Sequence, residues 1–177
     1  MAADYLISSL QPLNFDGPAP ISPARFLEAC RDQLGARHAQ SIAALLDGTA
    51  SEKPTDLERT WRDLETQLRN ASAAERARLR GVDPAKWRHA VDGCSIFWAS
   101  RVQAAFQEKN PAKRDRLLDQ VRWDAAGELT PAASPLSTAA AYTYALRLAI
   151  VVRRQTLSPE TGNQVFDDLT AATKLEF

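Results

Sequence analysis

Two cysteines, two histidines, one methionine and seven scattered glycines in 177 residues leave this chain with little of the material from which active sites are assembled. Cys30 and Cys94 fit no zinc-ligand spacing and are too few for a disulfide framework, which favours reduced thiols in a cytoplasmic setting, with both residues in the core. His38 and His89 have no carboxylate or cysteine at ligand spacing. No glycine-rich phosphate cradle and no nucleophile elbow is present, so nothing supports a nucleotide-binding or esterase reading. Asp167 and Asp168 are adjacent on a helical stretch and point in different directions, which suits no glycosidase carboxylate pair. No cofactor and no metal is expected.

Charge of one sign is also missing. Lys plus Arg and Asp plus Glu each number 22, and a chain without net basic charge is not expected to be a dedicated nucleic-acid binder. The N-terminus lacks the basic-then-apolar order of a secretion signal. The longest apolar stretch, Ala139 to Val152, is short and contains Arg147, so direct membrane insertion is not expected.

What the chain does have is helical periodicity. Ser22-Pro23 supplies an N-cap and a first-turn proline, with Leu27, Cys30 and Leu34 following on one side. Ile42, Leu45 and Leu46 mark a second short helix that stops at Gly48. Thr55 and Glu58 make a capping-box pattern ahead of a long helix, seamed by Leu57, Trp61, Leu64, Leu68 and Ala71, running to about Arg80 and closed by Gly81.

Asp83-Pro84 opens a helical turn through Trp87, and Val91 to Cys94 is a linker. Trp98, Val102 and Ala105 then share a face, and Asn110-Pro111 ends that helix and caps the next, where Leu117, Leu118, Val121 and Ala125 point inward. Pro135 to Gln155 is apolar on nearly every side, the pattern of a central helix. Tyr5 to Leu10 reads as a short helix, and Ser158-Pro159 opens a last one with Val165, Phe166, Leu169 and Ala172. Helix, loop, Ser-Pro cap and helix recur from Tyr5 to Phe26 and from Tyr142 to Phe166. The expected fold is all-α: a single domain over residues 1–177, an irregular bundle of about seven to eight helices with one long helix and a buried apolar hub.

One stretch is chemically distinctive. Arg69, Arg76, Arg78, Arg80, Lys86 and Arg88 face only Glu75 and Asp83 between residues 69 and 89, a basic strip suited to an acidic protein partner if it is more than a solvated helix face. The four tryptophans, Trp61, Trp87, Trp98 and Trp123, read as core anchors.

Tyr5-Leu6-Ile7-Ser8-Ser9-Leu10, Phe15-Asp16 and Pro20-Ile21-Ser22 leading into Phe26-Leu27-Glu28-Ala29-Cys30 resemble the opening of an uncharacterised bacterial family encoded beside V-type ATPase subunits. Leu117-Leu118-Asp119, Arg122-Trp123, Glu128-Leu129-Thr130, Tyr144 to Leu148, Arg153 and Phe166 are similar to that family's second block. The chain departs from its pattern at Ala132 to Ser137 and at Arg154. The family is in turn similar to a shortened V/A-type ATPase C or d subunit, the helical socket between rotor ring and central stalk.

The resemblance implies a non-enzymatic accessory or coupling subunit, or an assembly factor, on the cytoplasmic face of the inner membrane. Its partners would be V-type ATPase subunits, and Tyr5, Phe26, Leu27, Arg122, Trp123 and Arg153 would be its structural motif residues. Two other readings stay open. One is a small helical enzyme or ligand-binding bundle with a site assembled from His38, His89, Asp92 and Cys94; the other is a nucleic-acid-associated adaptor using Arg76, Arg78 and Arg80.

Overall fold

The computed structural model describes residues 2–157. Among them are seven α-helices, one 3-10 turn and no strand. Helices α1 (Ala2–Ser9), α2 (Pro23–Leu34) and α3 (Ala36–Leu46) lead into the long α4 (Asp56–Arg80). A 3-10 turn (Pro84–Trp87) and a loop connect to α5 (Ile96–Ala105), α6 (Pro111–Gly127) and α7 (Thr138–Thr156). The expected last helix from Ser158-Pro159, with Phe166, Asp167 and Asp168 and the second half of the internal echo, lies outside the described residues.

Local chemistry sets the boundaries. The hydroxyls of Ser22, Thr55 and Ser95 each accept an amide hydrogen from the first turn of the helix they precede. Asn110 accepts two, from Ala112 and Lys113. Gly81 ends α4 in the left-handed conformation (φ 65°), which a residue with a Cβ adopts only at a cost. Helix α5 stops at Ala105 rather than reaching Asn110, because residues 106–109 tighten into turn-type hydrogen bonds.

Helix α7 is the hub. From Ala139 to Val151 no position is exposed and most are buried, and the helix packs against α1, α2, α3, α4 and α6. One apolar cluster takes side chains from every helix, among them Leu6, Phe26, Ile42, Trp61, Val102, Val121 and Leu148. Two expectations about inward-facing residues, those for Leu117 and Cys94, are corrected. Leu117 is exposed on α6 although Leu118 and Val121 beside it are buried, and Leu27 is only half-buried while Phe26 and Cys30 carry the buried side of α2. Cys94 is exposed, whereas burial pushes the Cys30 thiol up to about 12. Tyr5 is 70% exposed, so the motif tyrosine contributes little to the core.

A polar chain threads the junction of α3, α4 and α7. The Tyr142 hydroxyl lies 3.0 Å from His38 Nδ1 and 2.9 Å from Thr55 Oγ1, and the Thr55 amide donates to Ser41 Oγ. Burial, followed by the nearby Arg37 charge, lowers the His38 pKa, which favours the neutral ring, and the tautomer decides whether Nδ1 accepts from Tyr142 or donates to it. Glu58, 0% exposed, does not reach back to the Thr55 amide as a full capping box would. Its carboxylate instead accepts from the Ser51 amide (3.0 Å) and the Ser51 hydroxyl (2.5 Å), pinning the 48–54 loop over the helix start. Burial alone would raise the Glu58 pKa. Hydrogen bonds from Ser51 and Ser41 and the charge of Arg62 outweigh it, so the net shift is downward.

A carboxyl whose folded pKa is depressed contributes stability above its unfolded pKa, and that contribution is lost as pH falls through the folded value. Glu58→Gln is therefore expected to lower unfolding free energy at pH 7 by about 1–3 kcal/mol. The gap should hold down to the usual glutamate value of 4.5 and shrink below it, as read from urea midpoints of both chains across pH 3–7. A gap that does not change with pH would show that shape, not charge, is what Glu58 supplies.

Candidate interaction surface

The arginines of this protein divide into those with fixed counter-ions and those without. Asp119, 1% exposed on α6, accepts from Arg153 of α7 at both oxygens (2.8 and 2.9 Å), with Arg122 at 3.6 Å and Arg154 at 3.9 Å. Arg153 also binds Asp115, and Arg122 reaches Glu65 on α4. Burial lowers the Arg153 pKa, but its bonds and charge contacts with Asp119 and Asp115 raise it further than burial depresses it. Asp16 bonds to both Arg116 and Arg154, so the Phe15-Asp16 turn is clamped between α6 and α7.

Phe15 lies between the guanidiniums of Arg154 (4.5 Å) and Arg116 (5.3 Å) and meets Trp123 edge-on at 5.5 Å. Arg147 covers Trp123 from 4.9 Å. The motif residues Arg122, Trp123 and Arg153 are thus structural fasteners between α4, α6, α7 and the N-terminal turn. Their role was not legible from spacing, because most of their partners, Glu65, Phe15, Arg147 and the α6 acids of Arg153, lie on other elements.

The basic strip is not one surface. Arg69 is paired with Glu65 and Arg78 with Glu75, and Arg78 lies about 200° around α4 from Arg76. Arg76 and Arg80, one turn apart, are exposed and have no ion-pair partner among the described residues. Lys86 sits 5.8 Å over the Trp87 ring, and Arg88 lines a 480 Å³ groove beside Trp98 and Cys94.

Trp87 corrects the expectation that all four tryptophans are core anchors. Trp61 and Trp98 are buried and Trp123 is half-buried, but Trp87 is 47% exposed. With Arg76, Arg80 and Val82 it borders a 290 Å³ cavity at the end of α4. Leu79 is exposed in the same last turn, and Ile96 (83% exposed) and Phe97 open α5. Periodicity singled out neither Ile96 nor Phe97, since both fall off the Trp98–Val102–Ala105 face.

The segment carrying these side chains is held by α4 itself. Asn70 exchanges two hydrogen bonds with the His89 backbone (2.8 and 2.9 Å), and Gln67 accepts from the Ser95 amide (2.9 Å). The Asp83 carboxylate accepts from Ala85, starting the turn that presents Trp87. A basic and aromatic surface is therefore built on fixed backbone, the arrangement protein interfaces favour for arginine and tryptophan anchors.

The residues that a dispersed catalytic site would need are not brought together. His38 bonds Tyr142 inside the bundle, while His89, Asp92 and Cys94 are exposed on the loop before α5. Of these four only Cys94 lines the 480 Å³ groove. Among the described residues no group of three or more His, Cys, Asp or Glu side chains is placed to hold a metal ion. No described helix is long and apolar enough to cross a membrane. No family model, no curated protein and no solved structure matches the chain.

Asp119→Asn, nearly isosteric but uncharged, is expected to destabilise the fold by about 2–3 kcal/mol, below the full value for a buried pair because Arg153 is half-exposed. Measured by urea unfolding, its effect should be strongly non-additive with Arg153→Met. Simple additivity of the two would mean that Asp119 is held by something other than Arg153.

Proposed function

We propose that the chain is a non-enzymatic helical adaptor that grips an acidic protein surface with the end of α4 and the tethered segment up to the start of α5. The observation that carries this reading is the pair Arg76 and Arg80, without ion-pair partners among the described residues and bordering one cavity with exposed Val82 and Trp87. A desolvated arginine–carboxylate contact next to a tryptophan anchor is how small interfaces concentrate binding energy. Lys86 and Arg88 extend the charge along the same segment, and Arg69 and Arg78, already paired, lie outside the contact.

Within that reading the resemblance of the two sequence blocks supplies the partner. We assign the chain as an accessory or coupling subunit, or an assembly factor, of a bacterial V-type ATPase, held at the cytoplasmic side of the inner membrane through the complex. It acts by touching other subunits and turns over no substrate.

Tagged full-length protein at native abundance is expected to co-purify with V-type ATPase subunits identified by mass spectrometry. Arg76→Glu with Arg80→Glu should remove them by tenfold or more while leaving the melting temperature within about 2 °C, since both side chains are exposed. An intact ATPase that purifies without this chain, with unchanged activity after deletion of its gene, would refute the assignment. Retention of the subunits by the double variant would move the contact elsewhere on the molecule.

A further inference from the structure

On the flank of α4 away from Trp87, a second cavity of about 350 Å³ opens between the end of α4, the end of α5 and the first turn of α6. Arg76 and Arg80 line it from α4 and Arg114 from α6, with Leu79, Phe106, Pro111, Asp115 and Leu118 completing the wall. None of the three guanidiniums is in an ion pair among the described residues. The one carboxylate present, Asp115, is already bonded to Arg153 at 2.8 Å. Three positive charges therefore share a concave space with no unpaired carboxylate beside them among the described residues.

The chemistry of the wall narrows the ligand. Arg114 lies 5.3 Å over the ring of buried Phe106, and a guanidinium in that position can bond an oxyanion in a bidentate manner. The positive end of the α6 dipole points the same way. The α6 amides do not take part, because Pro111 has none and Asn110 already accepts those of Ala112 and Lys113. A single carboxylate would leave most of this charge uncompensated, whereas a phosphate monoester brings nearly two negative charges and three acceptor oxygens in tetrahedral array. The volume is at the small end of ligand cavities, room for a phosphoryl group with a short body against Leu118.

We propose that Arg76, Arg80 and Arg114 form a phosphoryl-binding site for a phosphate monoester, whether carried by a small soluble molecule or by a lipid headgroup. The site goes beyond the acidic-partner contact, and Arg114 separates the two, since it lies outside the surface that Trp87 borders.

The test uses the full-length chain with glycerol 3-phosphate by calorimetry, and with vesicles of phosphatidylcholine alone or containing phosphatidate by co-sedimentation, all at one ionic strength. Saturable binding of glycerol 3-phosphate, weakened about tenfold or more by Arg114→Gln, supports a soluble ligand. Binding confined to phosphatidate vesicles and lost in the same variant supports a lipid headgroup. Arg114→Gln should leave the circular dichroism spectrum and partner co-purification unchanged, and Arg76→Gln gives a second variant should Arg114→Gln fail to fold. Equal binding of acetate, or binding of neither phosphate probe, or affinity indifferent to both substitutions, overturns the proposal.

Discussion

A helix with no polar face must be enclosed, and α7 imposes that requirement on the rest of the chain. Ala141, Tyr142, Ala145, Leu146, Leu148, Ile150 and Val151 point around most of its circumference and all are buried. At about 25 cal/mol per Å² of apolar surface, leaving any side of such a helix in water would cost more than the few kcal/mol by which a domain is stable. So α1, α2 and α3 cover one part, α4 and α6 another, and α5 reaches the core through α4 and α6. The polar groups left inside occur where coverage would otherwise slip. Tyr142 ties the hub to α3 and to the cap of α4, and Asp119 ties it to α6 through Arg153. Neither lock adds much apolar area; each fixes which face meets which.

Much of this architecture was legible from local patterns, because its causes are local. Ser22-Pro23, Thr55 and Asn110-Pro111 announce helix starts through backbone amides within three residues of them. Gly81 ends α4 where the sequence placed its end, since only a left-handed residue closes that turn. The hub could be read because a missing polar face is a property of one segment.

The unread parts depend on residues far apart in sequence. Glu58 looked like half of a capping box, and its full burial depends on a loop that bends back to supply Ser51. Asp119 sat unremarked in a motif, and its importance comes from Arg153, 34 positions away. Trp87 was read as core because tryptophans usually are, yet a 3-10 turn begun by Asp83 keeps it at the rim. The basic strip illustrates the limit of counting charge along a sequence. Glu65 and Glu75 silence Arg69 and Arg78, and helical geometry puts Arg76 and Arg80 on the opposite side of α4 from Arg78.

That sorting of arginines gives the proposed interaction surface its physical logic. Arg122, Arg153 and Arg154 share carboxylates with fixed geometry, so an incoming anion would have to displace bonds already made. Arg76 and Arg80 repel one another at a spacing of one turn, worth a few tenths of a kcal/mol, which is a small enough cost for the fold to tolerate. An anion bound between them reverses the sign of that term without breaking anything. The same guanidinium group therefore serves as a fastener in the middle of the bundle and as an open contact at its end. What separates the two roles is whether the fold itself delivers an acid to it, and among the described residues none reaches Arg76 or Arg80.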